Sequence, residues 1–167
     1  MMTIAQALRR IKKLKGRMAE LTARAAGSVS HLVDKKPAFD FQATRREIDT
    51  VREELIKLEA AVTRANATAK VEHDGRPMTI SEAVRRLQEI KAEIAWLGQL
   101  SLREGTEVRQ DVDYDVQTGR NVVRKTETTF VTALAETQRV AEIDALRDRF
   151  ERLNDAVESA NHRTPVE

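Results

Sequence analysis

The stretch DVDYDVQTG, Asp111–Gly119, decides how much of this chain is anything other than helix. Its carboxylates, Asp111, Asp113 and Asp115, stand at every second position. That is how a calcium loop begins and also how one face of a β-strand looks. A calcium loop of the EF-hand kind needs glycine at its sixth position and a bidentate glutamate at its twelfth. Counted from Asp111, those positions hold Val116 and Val122. The strand reading accounts for more residues. Val108, Val112, Tyr114 and Val116 alternate with the aspartates, which is the period-2 signature. Thr118-Gly119 then turns the chain, and NVVRKTETTFV, Asn121–Val131, returns rich in β-branched residues. A β-hairpin over 106–130 is expected, with Arg124 and Lys125 facing the carboxylates and the valine face lying against helices. Weak cation binding by Asp111, Asp113 and Asp115 stays open, and no residue is assigned as a metal ligand.

On either side of this segment the apolar period lengthens from two to three and a half. Ile4, Ile11, Met18, Ala25 and Leu32 recur every seven residues, with Ala7, Leu14 and Leu21 between them. Thr3 and Gln6 suit a capping box. Phe41, Ile48, Leu55, Val62 and Ala69 repeat the seam with Val51, Leu58 and Ala65, after a break at DKKPAFD, where proline cannot continue a helix. The two segments predict a helix pair over 3–67. Asp74-Gly75 marks a turn over 68–78, a segment that makes a poor strand pair. TISE, Thr79–Glu82, caps a third helix over 79–103 on Ile80, Ala83, Leu87, Ile90, Ile94 and Leu97. A fourth helix over 131–161 carries Ile143, Leu146, Phe150, Leu153, Val157 and Ala160. The expected fold class is mainly α: four long helices in an antiparallel coiled-coil-like bundle with a β-hairpin between helices 3 and 4, one elongated helical domain over 1–167.

Composition excludes much. There is no cysteine among the 167 residues, so disulfides, thiolate metal sites and thiol nucleophiles are absent. Charged residues make up 34% and aromatics 4%, which favours narrow aliphatic seams over a wide core. No uncharged run approaches the roughly 20 apolar residues of a membrane span, and the N-terminus reads as cytoplasmic rather than secretory. His31, His73 and His162 lie too far apart to share a helical face, and His73-Asp74 reads as a solvated turn. GSVSH, Gly27–His31, falls inside a helical pattern and forms no nucleophile elbow. No catalytic, cofactor-binding or metal residue is assigned, and neither an enzyme nor a cofactor is expected.

The charge is uneven. Residues 1–36 carry nine Lys/Arg against two Asp/Glu, and residues 131–167 carry five against eight. RRIKKLK, Arg9–Lys15, is the strongest candidate for an anionic partner. Its basic residues are spread around the exposed heptad positions without interleaved aromatics, so nucleic acid is disfavoured and a solvated helix answering the acidic fourth helix of the same or another subunit is the preferred reading.

VTRANATAKVEHDGRPMTISEAVRRLQEIKAEIAWL, Val62–Leu97, and LRDRFERLNDAVESAN, Leu146–Asn161, resemble the septicolysin-like family of uncharacterised small bacterial proteins. That family usually closes with a Gln and an Asn-Trp pair, where this chain has Glu158 and Asn161-His162. The resemblance implies a helical protein with a small β element and no established activity. The residues themselves point to a self-associating structural or protein-interaction module, a homo-oligomer, with a protein partner as a further option. The alternatives are a prefoldin-like holdase chaperone, or binding of nucleic acid or an anionic surface through the basic first helix.

Overall fold

The computed structural model describes residues 1–166. Ten elements follow in chain order: β1 (Met2–Thr3), α1 (Ile4–Ser28), α2 (Phe41–Thr68), β2 (Lys70–His73), β3 (Arg76–Thr79), α3 (Ile80–Gln99), β4 (Gly105–Asp115), β5 (Arg120–Phe130), α4 (Glu136–Arg163) and β6 (Pro165–Val166). Helix takes 61% of the chain and strand about 20%, in three two-stranded antiparallel sheets. The expectation of a mainly α bundle with one hairpin is therefore corrected to a mixed α/β fold. Two of the three sheets escape a periodicity reading because their strands are only two and four residues long.

The elements group into two compact units, one of residues 1–88 with the chain from Glu151 onwards, the other Glu89–Phe150. In the first, Thr3 caps α1 as expected: its Oγ1 accepts from the Gln6 amide at 3.4 Å and its own amide donates to Gln6 Oε1 at 3.0 Å. The helix ends at Ser28 instead of running to Leu32, because Gly27 and Ser28 are weak helix formers and the chain must turn. Asp40 restarts it, its carboxylate accepting from Ala43 N at 2.6 Å.

The α1 and α2 seams meet. Leu21, Ala25 and Ile48 form a buried cluster flanked by Met18, Phe41 and Val51. Across the flanks Arg10 pairs with Glu54, Arg17 with Glu47 at 3.3 Å and Lys15 with Glu59 at 2.8 Å. As the α1 number rises from 10 to 17 its partner falls from 54 to 47, so the helices run antiparallel. With Ile4 and Phe41 starting the two repeats, Arg10, Arg17, Glu47 and Glu54 all fall at g and Lys15 and Glu59 at e, the positions that bracket a heptad seam.

After α2 the chain makes a true hairpin where only a turn was expected. β2 pairs with β3, Val71 opposite Met78 and His73 opposite Arg76. Asp74 and Gly75 both have positive φ, 51° and 71°, the two-residue geometry that matches strand twist. Pro77 is tolerated because a two-stranded sheet leaves one side of each strand without a ladder. Val71 and His73 point inward and are buried. Thr79 caps α3 as expected, donating to Glu82 Oε2 at 2.7 Å and accepting from Glu82 N at 3.2 Å. The chain's two ends then close on each other: Met2 pairs with Val166, Thr3 with Pro165, and Ile4 N donates to Thr164 O at 3.0 Å. Pro165 and Val166, beyond the end of α4, are a strand. The first unit's remaining buried side chains include Ile4, Ala7, Val62, Ala65, Ile80, Ala83, Leu153 and Val157.

The second unit holds the end of α3, the β4–β5 hairpin and the start of α4. Ile90 and Leu97 are buried on α3. The Arg139 guanidinium donates to Leu100 O at 3.1 Å and pairs with Glu136, fixing the start of α4 against the end of α3. At the base of the hairpin Arg103 lies over the Phe130 ring, 5.2 Å from its centroid.

Candidate functional site

The β4–β5 hairpin is the part of the molecule whose chemistry faces outward. Each strand is eleven residues long and the register is unbroken, from Gly105 opposite Phe130 to Asp115 opposite Arg120. Directly opposed residues share a face, which sorts the side chains. On one face lie Asp111 with Arg124, Asp113 with Val122 and Arg109 with Thr126. On the other lie Val108 with Glu127, Val112 with Val123, Tyr114 with Asn121 and Thr106 with Thr129, the last pair joined through their hydroxyls at 2.9 Å. The hairpin expected from sequence is present, with two corrections. Lys125 sits opposite Gln110, on the face away from the aspartates. The valine face covers no helix either: Val112 is 62% exposed, Val123 54% and Tyr114 64%. No residue of either strand is buried.

The three aspartates are each occupied differently. Asp111 pairs with Arg109 at 2.8 Å and Asp113 with Arg124 at 3.4 Å. Asp115 closes the turn, accepting from Gln117 N at 2.9 Å and from the Thr118 hydroxyl at 2.8 Å. The Thr118 hydroxyl, with the two turn amides, holds the Asp115 carboxyl below its ordinary value. Gly119 follows with φ 65°, as a turn glycine must. Alternate residues on a strand are roughly 7 Å apart, so three such carboxylates form a row rather than a cage. Among the described residues no group of three or more His, Asp or Glu side chains is placed to hold a metal ion.

The other sequence candidates are scattered. His31 lies exposed after α1 and His162 exposed in the last turn of α4. His73 is not in a solvated turn: its side chain is 4% exposed, with Nε2 3.3 Å from Asp74 Oδ2. Of the basic run of α1, Arg10 and Lys15 are answered by α2, through Glu54 and Glu59, and Arg17 just beyond the run by Glu47. Two open grooves of about 480 and 580 Å³ flank the β1–β6 pair. Their charged lining is Arg10, Glu54, Lys57 and Arg64, with Arg10 and Glu54 already joined. Among the described residues no helix is long and apolar enough to cross a membrane.

Comparison with known proteins yields a family and a fold. The profile of a family of unknown function, DUF6847, matches residues 11–166. No curated protein matches the chain. A crystal structure described as that of a functionally unknown conserved protein from Corynebacterium diphtheriae is similar over 99% of this chain and 99% of its own, with a TM-score of 0.71 and 15% sequence identity. At that identity the likeness establishes shared fold alone.

Proposed function

The chain belongs to DUF6847, a family of unknown function, and from that premise we propose that it is a self-associating interaction module whose contact surface is the β4–β5 hairpin. The observation that supports this reading is the exposed strip of Val108, Val112, Val123 and Tyr114 on a sheet of only two strands. A two-stranded sheet is marginal by itself in water, because one ladder and one uncovered face do not offset the entropy of ordering the strands. Long exposed edges are also ready templates for another strand. A chain that keeps twenty-two residues in such a hairpin gains most when a neighbour covers it. On the basic helix Arg10, Lys15 and Arg17 are engaged by carboxylates of α2, which lessens the support for an anionic partner there.

Sedimentation at tens of micromolar protein tests the proposal. The wild-type chain is expected to give a defined oligomer, and a double variant, Val112→Asp with Val123→Asp, a lighter species with unchanged helix content. A single monomeric wild-type species over that concentration range overturns it.

A further inference from the structure

If the hairpin is the self-association surface, its two strands differ in a way that says how copies meet. We infer that β5 of one copy pairs antiparallel with β4 of a second copy, in the register the two strands already use within the hairpin.

Charge carries the inference. β4 holds Glu107, Asp111, Asp113 and Asp115 against Arg109, a net −3, whereas β5 holds Arg120, Arg124 and Lys125 against Glu127, a net +2. A two-fold contact along one edge would set β4 on β4 or β5 on β5, bringing together strands of like net charge, which disfavours the pairing. β5 on β4 brings opposite signs together. Placed side by side at the level they hold in the hairpin, the strands set Arg124 across from the second copy's Asp111 and Arg120 across from its Asp115, as within one chain.

Two further features fit that register. Opposed residues in an antiparallel ladder alternate between hydrogen-bonded and non-bonded pairs. The non-bonded pairs inside the hairpin therefore turn their amides and carbonyls outward on both edges, so the same register meets donors with acceptors. The faces also stay in phase. Val123 falls across from the second copy's Val112, and the apolar strip widens from two strands to four without a one-residue slip, which would turn valines onto the charged face. Each copy then uses one edge to give and the other to receive. Such a contact is heterologous and closes only as a ring of copies.

The absence of cysteine makes a direct test simple. Two full-length variants, Val112→Cys and Val123→Cys, each carry one thiol at an exposed position. When they are mixed under mild oxidation, a 112–123 disulfide can form only between chains. Peptide mapping is expected to find that link several-fold more abundant than 112–112 or 123–123 links, and native mass measurement to find an oligomer of the unmodified chain. A predominance of 112–112 or 123–123 links, or an oligomer without 112–123 links, overturns this register and leaves self-association standing. A monomeric unmodified chain overturns both.

Discussion

The protein contains two long antiparallel hairpins, one of helices, α1 with α2, and one of strands, β4 with β5. Both carry oppositely charged residues along their flanks, yet only the helical one buries what lies between. In the helix pair the ion pairs border a closed seam of Leu21, Ala25 and Ile48. In the strand pair Arg124 reaches Asp113 on one face while Val112 and Val123 stand open on the other. A helix can bury its stripe against one partner helix, because the stripe is narrow and each seam residue inserts between residues of the other. A sheet has two faces and two edges, and pairing two strands covers neither face. The paired elements are self-sufficient in one case and want a third body in the other.

The largest effect that could break this contrast lies in the helical seam. Leu21→Ala removes a fully buried side chain from the α1–α2 cluster and is expected to cost about 2–5 kcal/mol by denaturant unfolding, the range for truncating leucine in a packed core. A loss below about 1 kcal/mol would mean that the seam is as open as the strand face. The matching substitution in the hairpin, Val112→Ala, is expected to change the stability of the isolated chain by less than about 0.5 kcal/mol, as at other exposed positions. Its effect belongs in the association constant.

Between these extremes lie the caps. Thr79→Ala takes from α3 the hydroxyl that accepts from the Glu82 amide, and about 1 kcal/mol is expected to go with it. Glu82 and Asp115 are held alike: backbone amide and threonine hydroxyl donors stabilise the ionised carboxylate, so both titrate below their ordinary values of 4.5 and 3.8. For Glu82 the Thr79 amide is the leading donor, and for Asp115 the Thr118 hydroxyl. A depressed folded value means that the unfolded chain binds the proton more readily. Each contribution is therefore complete above the ordinary value and lost as pH falls through the folded one. On acidification below pH 4 the amide resonances of Gln117 and Thr118 are expected to move together with the Asp115 carboxyl. In Asp115→Asn that movement should vanish, and its persistence would show that the turn is held by something else.

The contrast also explains which parts of the molecule could be read in the sequence. The heptads of α1 and α2, both threonine caps and the β4–β5 strands announce themselves because each is a local spacing of residue types. The β1–β6 pair does not, since two residues at one end of the chain meet two at the other without any periodic signal. Asp74-Gly75 marks its turn, but the short flanking runs read as a poor strand pair, and only the finished sheet shows that Pro77 sits where no donor is asked for. The hairpin's exposure was illegible for a different reason. Alternation says that Val112 and Tyr114 share a face, but nothing in alternation says whether that face is covered. The expectation that helices lie on it was an inference from burial elsewhere, and the structure places no helix there.

An effect as small as that of Val112→Ala is expected at the aspartates. Asp113 pairs with Arg124 at 3.4 Å while both side chains stay more than half exposed. Solvent and salt screen such a pair, and ordering two flexible side chains offsets most of the attraction. Asp113→Asn is accordingly expected to shift unfolding by no more than about 0.5 kcal/mol, less than the loss from Thr79→Ala. Calcium should not change that ranking, because carboxylates in a row, each engaged by an arginine or a turn, would have to leave those partners to gather around an ion. A thermal melt of wild type and Asp113→Asn, each with calcium and with chelator, reads both effects together. A calcium-dependent rise of several degrees in the wild type that disappears in the variant would show that the row can close into a cage after all. The charged face of the hairpin would then be a ligand site and not the counterpart of the ion pairs that flank α1 and α2.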